Sequence, residues 1–391
     1  MNFTAEVDSV DDKTRTFFDI EHNIKFDPVV YEQRYIKVIH ILSLEKFGDR
    51  IKNVCEFGCA ELKFFVYLKN GLPHATKFDF VDIDEELVSR FKSRVDPLMS
   101  DYIKMRETKL QVNVWKGNVA IPNPNIKNVD AVVAIELIEH VYPDVLNEIP
   151  YHIFGVLQPK VAVLTTPNGD FNVLFNLKPF HYRHDDHKFE WTRIEFEDWC
   201  NNICLRFPDY CVEFHGIGKP PKGSEKLGSV SQMGFFMRKD FLESLEQPRE
   251  AEAISDTVNE ESQVEEVIES EDSKLIHLVK YPFFHDTRCR DEKILDECKY
   301  HTQRLQGMGD EYFNDDSNRF EIPIESVASC CWHVTEDLSE ITSVIKKNFE
   351  TDEKFIILPP YEESDSQDDY YDDDNRQSIV EADSEAPLMT W

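Results

Sequence analysis

From about residue 26 to residue 240 short apolar runs alternate with helix-like segments, and this alternation leaves few architectures open. Seven runs read as strands: IKNVCEF (51–57), KFDFVDI (77–83), KLQVNVWKG (109–117), NVDAVVAIE (128–136), KVAVLTTP (160–167), YCVEFHGI (210–217) and SQMGFFMRK (231–239). A run such as VDAVVAI is apolar almost throughout, which a strand requires only when both of its faces are covered. Helices between the strands supply that cover. The expected fold is therefore α/β: a doubly wound, mostly parallel seven-stranded sheet. The last two strands are joined by GKPPKGSEKLGSV, too short for a crossover helix, so an antiparallel hairpin is expected at the sheet edge.

The net charge of −33 is concentrated outside this region. Residues 251–273 carry nine acidic and no basic side chains, and residues 362–385 carry eleven acidic and one basic; together they hold −19 of the total. The whole-chain charge therefore says little about the surface around a site, and nucleic acid is not excluded as a partner. The expected organisation is an N-terminal segment (1–25), the sheet domain (26–250), an acidic disordered linker (251–273), a small module or packing arm (274–358) and an acidic disordered tail (359–391). No apolar run approaches the roughly 20 residues that cross a bilayer, and the first residues have no apolar signal core. A soluble, intracellular protein is expected, and the nine irregularly spaced cysteines fit reduced thiols.

In VCEFGCAE the first strand runs through Glu56 into Gly58 and a small pair before a helix, a turn tight enough for backbone to approach a ligand. The second strand ends at Asp82, where a carboxylate would meet a ribose hydroxyl pair, and the third ends at Asn118 on the same edge. Only Gly58 of a GxGxxG pattern is present, which argues against a dinucleotide and for a cofactor without phosphates; S-adenosylmethionine fits. A blander role is open to the same residues, with Gly58 a simple turn and Asp82 and Asp84 capping the next helix.

The fourth strand runs directly into AIELIEH. If residues 136–140 open a helix, Glu136, Glu139 and His140 share one face at i, i+3 and i+4. Acidic residues that merely complement a helix N-terminus would give the same pattern. FHYRHDDHKFEWTRIEF, after the fifth strand, offers His181, His184 and His187 as a fourth ligand at the same sheet edge. Two carboxylates with two imidazoles suit manganese or cobalt better than magnesium, which favours all-oxygen shells. The loop between the last two strands adds Lys219, Lys222 and Lys226 as candidate phosphate contacts, or as ordinary solvated lysines.

ExxEH at 136–140 and DHKFEWT at 186–192, together with FDPVVYEQRY at 26–35 and PNGDFN at 167–172, resemble the small RNA 2′-O-methyltransferase family, the Hua enhancer family, over about residues 26–240. With no double-stranded-RNA-binding or La-like region before it, the chain resembles the short animal type, and the insect members in particular. The resemblance implies a class I methyltransferase domain and assigns Glu136, Glu139, His140 and His187 as metal ligands, passing over His181 and His184. It implies Asp82 as the contact to the cofactor ribose and Asn118 as a further cofactor contact. Where the family pattern usually has a second glycine this chain has Ala60, which is expected to weaken cofactor binding modestly. The implied reaction is metal-dependent transfer of a methyl group from S-adenosylmethionine to the 2′-hydroxyl of the 3′-terminal nucleotide of single-stranded piRNAs and siRNAs. Such RNAs are implied to be presented by Piwi or Argonaute proteins in the cytoplasm, and a monomer is expected. A methyltransferase for another substrate would share the cofactor residues without needing all four metal residues, and a non-catalytic Piwi-pathway scaffold would be expected to have lost some of them.

Overall fold

The computed structural model describes residues 3–175, 177, 181–247, 268, 270, 272–308, 310–332, 334, 335 and 337–360. The expectations for residues 251–267 and 361–391 lie outside the described residues. The chain divides into two compact units, residues 1–286 and 287–391.

In the first unit an antiparallel hairpin, β1 (Arg15–Phe18) and β2 (Ile24–Asp27), precedes the main sheet. The sheet strands are β3 (Asn53–Phe57), β4 (Lys77–Asp82), β5 (Gln111–Gly117), β6 (Ala131–Ile135), β7 (Val161–Pro167), β8 (Tyr210–Ile217), β9 (Ser231–Arg238) and β10 (Ser273–Lys280). Their spatial order is β10-β5-β4-β3-β6-β7-β9-β8. Strands β5, β4, β3, β6 and β7 are parallel, and β8 and β9 form the expected antiparallel hairpin, with β9 inserted beside β7. Chain order reverses between β3 and β6, which makes their carboxyl ends the crevice where doubly wound sheets bind ligands.

Alternate side chains along the central strands feed two apolar layers. Val54, Phe78, Phe80, Val112 and Val133 pack on one face with Val38, Ile41 and Leu68 from the helices Val30–Leu42 and Phe65–Gly71. Phe57, Trp115, Val132 and Leu164 pack on the other with Ile149, Phe196 and Ile203. The N-terminal segment is part of this core: Phe3 and Val7 are fully buried, and Lys37, 1% exposed, donates from Nζ to Asp8, Asp11 and the Gly216 carbonyl at 2.8 Å each. A buried ammonium is tolerated here because each of those oxygens is an acceptor.

The sheet has eight strands, one more than the seven read from the sequence. Ser273–Lys280 pairs antiparallel with β5, from Ser273 opposite Gly117 to Lys280 opposite Gln111. It thereby covers an edge whose amides and carbonyls would otherwise lack partners. The domain boundary read at residue 250 therefore falls before the last strand, and the stretch read as one module from residue 274 is divided between the two units.

The second unit contains the helices Arg290–Gln306, Ile324–Cys330 and Leu338–Asn348 with an antiparallel sheet of β11 (Phe313–Asn314), β12 (Arg319–Pro323) and β13 (Phe355–Leu358). Ile294, Cys298, Ile322, Val327, Ile341, Ile345 and Ile356 form its own core. All nine cysteines are free thiols. Among the described residues no helix is long and apolar enough to cross a membrane.

Candidate active site

At the end of β6 the chain does not enter an α-helix, as the i, i+3, i+4 spacing had suggested. Glu136 takes a left-handed φ of 50°, a single 3-10 turn spans Ile138–His140, and the α-helix begins only at Pro143. Proline favours the first helical position, where its missing N–H costs nothing. The left-handed residue is held at both ends. Its amide donates to the Thr165 carbonyl and Thr165 Oγ1; its carboxylate accepts from Ser231 Oγ at 2.6 Å and from Thr165 Oγ1 at 3.0 Å, and pairs with Arg34 at 2.8 Å.

Glu139 points into the protein, its side chain 0% exposed. Thr166 Oγ1 donates to Oε2 at 2.9 Å, while Oε1 has no hydrogen-bond partner. Burial, and then the neighbouring Glu136, pushes the Glu139 carboxyl well above its ordinary pKa. His140 Nε2 lies 4.0 Å from that orphaned oxygen, and His140 Nδ1 faces Asp186 at 3.0 Å. Burial lowers the His140 pKa, so the ring favours the neutral form. His187, its side chain 8% exposed, directs Nδ1 to Glu190 at 2.6 Å. The Lys188 amide donates to the Glu139 carbonyl at 2.7 Å and ties the two segments together.

One ligand atom from each of Glu139, His140 and His187 lies within 4.8 Å of the others. Of the three histidines open on sequence grounds, the fold thus brings His187 to the cluster. His184 is largely exposed and bonded to Asp186, and His181 is exposed. Glu136 adjoins the cluster with its carboxylate engaged by Arg34. The donor set fits a divalent cation: a buried carboxylate oxygen without a partner, and two imidazoles whose Nδ1 atoms are occupied by carboxylates so that Nε2 is the available atom. Among the described residues no other group of three or more such side chains comes together.

The cofactor candidates occupy the neighbouring strand ends. Glu56 is buried, its Oε2 has no partner, and burial followed by the nearby Asp82 raises its pKa well above the ordinary carboxyl range. Such an oxygen suits a cationic ligand group. Gly58 has φ 74°, and a Cβ there would sit 2.8 Å from Leu137 Cδ1. Ala60 also has a positive φ, 43°, and its amide donates to Asp82 Oδ2 at 2.8 Å, while the Asp84 amide donates to Asp82 Oδ1 at 3.0 Å. Helix capping falls to Asp84, which accepts from the Leu87 amide. Asn118 Oδ1 accepts from the Ala120 amide at 2.9 Å.

Lys219, Lys222 and Lys226 are exposed on the loop after β8. Two of their carbonyls fasten that loop: Lys219 accepts from Thr16 Oγ1 and Lys226 from Arg193, each at 2.7 Å. Sequence reasoning gave no role to Arg34, Thr166, Asp186 or Glu190. Asp186 and Glu190 flank His187 inside DHKFEW, and a carboxylate near each candidate imidazole was the signal available.

The small RNA 2′-O-methyltransferase of Drosophila melanogaster is 45% identical over 290 residues, covering 73% of this chain and 71% of that protein. The chain belongs to the small RNA 2′-O-methyltransferase family. The rat member is 36% identical over 218 residues, and the match takes in 53% of its length. Residues 291–360, within the second unit, match the family model for the HEN1 methyltransferase C-terminal domain. The crystal structure of the methyltransferase domain of bacterial CtHen1 is 26% identical with a TM-score of 0.42, covering 53% of this chain and 99% of that one. Membership in this enzyme family bears out the family resemblance carried by ExxEH and DHKFEWT.

Proposed function

We propose that the chain transfers the methyl group of S-adenosylmethionine to the 2′-hydroxyl of the 3′-terminal nucleotide of single-stranded small RNAs, piRNAs and siRNAs, and so protects their 3′ ends. Family membership supports the reaction class. What most supports the metal-dependent form is the orphaned, fully buried Glu139 Oε1 facing His140 beside His187, at the same sheet edge as Glu56, Gly58, Asp82 and Asn118. Glu136, Glu139, His140 and His187 would hold a divalent cation, manganese, cobalt or magnesium. Such an ion supplies Lewis acidity, which makes a sugar hydroxyl easier to deprotonate near neutral pH.

The protein's own residues do the rest. Asp186 and Glu190 fix the tautomers of His140 and His187 by occupying Nδ1. Arg34 holds the Glu136 carboxylate in place through an ion pair at 2.8 Å. Asp82 would hold the cofactor ribose, the unpartnered Glu56 oxygen would suit the cationic part of the cofactor, and Asn118 would add a further contact. Holding donor and hydroxyl side by side supplies much of the rate, because two bound groups react as one molecule. The RNA ends are presented by Piwi or Argonaute proteins in the cytoplasm to a monomeric enzyme, and the acidic stretches complement the basic RNA channel such partners carry.

The test uses labelled S-adenosylmethionine and RNAs ending in a 2′,3′-diol, a 2′-deoxy or a 3′-deoxy sugar, each with manganese or with chelator. Transfer only to the diol, and only with metal, is the expected outcome. Metal-independent transfer, or methylation of the 2′-deoxy RNA, would overturn the metal-dependent reading.

A further inference from the structure

Beside the cluster stands an aromatic and a cation that neither the fold nor the proposed chemistry uses. Tyr142 follows His140 by two residues, is 63% exposed, and sits in extended backbone just before Pro143. Lys188 follows His187 directly, and its Nζ lies 4.9 Å from the centre of the Tyr142 ring. The hydrogen bond from the Lys188 amide to the Glu139 carbonyl fixes the pair to the rim of the site.

The other cations near the cluster are spent on protein. Arg34 pairs with Glu136, and Arg183 donates to the Val230 carbonyl and Asn172 and lies beside Glu190. Asp186 and Glu190, each two residues from Lys188, are engaged elsewhere: Asp186 faces His140 and His184, and Glu190 faces His187 and Arg183. The Lys188 ammonium thus rests on a ring and on no carboxylate among the described residues. An exposed ring with a cation on one face leaves the other face for a planar ligand group.

We infer that Tyr142 and Lys188 form a nucleotide subsite, in which Lys188 takes the phosphodiester preceding the last nucleotide and Tyr142 stacks on that nucleotide's base. The inference rests on the proposed function, since it requires the terminal ribose to lie at Glu139, His140 and His187. Phosphate contact and base stacking carry no sequence code, so this subsite accepts any terminal base. It also places the main RNA grip beside the cluster and gives Lys219, Lys222 and Lys226 a lesser part.

Methyl transfer to a single-stranded diol RNA is measured over a range of salt concentrations for the full chain. The variants are Lys188→Ala, Lys188→Arg, Tyr142→Ala, Tyr142→Phe and a triple alanine variant of Lys219, Lys222 and Lys226. The KM for S-adenosylmethionine reports whether each is folded. Lys188→Ala is expected to raise the RNA KM alike for all four terminal bases and to flatten the slope of log(kcat/KM) against log salt by about 0.7, the share of one phosphate contact on a single strand. Lys188→Arg restores the slope. Tyr142→Ala raises the RNA KM on the order of tenfold and Tyr142→Phe stays near wild type, because stacking needs the ring and not the hydroxyl. A wild-type KM and slope for Lys188→Ala overturns the subsite, as does a fall in kcat alone, which would mean that Lys188 only braces Glu139. A larger slope change in the loop variant than in Lys188→Ala also overturns it. If wild-type protein transfers no methyl group to any RNA, the functional reading itself has failed and the subsite falls with it.

Discussion

Replacing Glu139 by glutamine tests whether the buried carboxylate is there to meet a cation. In chelator the wild-type side chain is a buried acid with one unpartnered oxygen, its pKa raised by burial and by Glu136. A raised carboxyl pKa means that the folded state binds the proton more tightly than the unfolded chain. Its contribution to stability is therefore greatest below the ordinary value of 4.5 and is lost as pH rises toward the elevated folded value. Within that window each pH unit removes about 1.4 kcal/mol. Glutamine has no such titration. Its carbonyl can still accept from Thr166 Oγ1, now 2.9 Å from Glu139 Oε2, and its amide can donate toward His140 Nε2, now 4.0 Å from Oε1. At neutral pH in chelator Glu139→Gln should thus be more stable than wild type by about 1–3 kcal/mol, the scale of one unsatisfied buried acceptor. Manganese should reverse the order. At one hundred times its dissociation constant a ligand of the folded state adds about 2.7 kcal/mol, and the variant should gain little of this. Thermal unfolding at several pH values, with manganese and with chelator, reads both effects. A variant stabilised by manganese as much as wild type, or less stable than wild type in chelator at neutral pH, would refute the argument.

Glu190→Gln leaves every metal-facing atom in place but weakens the hold on His187 Nδ1, so manganese affinity should fall about 10–100-fold by calorimetry. His184→Ala, at an exposed ring, should change it less than twofold, and equal losses would mean that the wrong histidine has been read as the ligand. Ala60→Gly relieves a positive φ at the amide that holds Asp82, so it should tighten S-adenosylmethionine binding and raise stability by up to about 1 kcal/mol. Weaker cofactor binding would show that the turn tolerates alanine without strain.

The central strands were legible because their runs are apolar on both faces, and that pattern has few structural solutions. Strand β10 was not. More than thirty residues, many of them acidic, separate it from β9, and as an edge strand it buries only Ser273 and Val279, so the apolar LIHLV reads with the chain that follows it and not with the sheet. Within the site, the ligand candidates could be read from spacing, but the backbone that carries them could not. The i, i+3, i+4 pattern suggested a helix, although Pro143 already marked a later start. The partners of the histidines escaped notice because an orienting hydrogen bond accepted by Asp186 or Glu190 leaves no periodicity in the chain.

The close fit of Gly58 against Leu137 joins what sequence alone presents as two separate motifs. Leu137 lies between Glu136 and Glu139, so a Cβ at position 58 would press on a side chain of the turn that carries both carboxylates. A substitution in the Gly58 turn would therefore be felt first at Leu137, and so in the segment that holds Glu136 and Glu139.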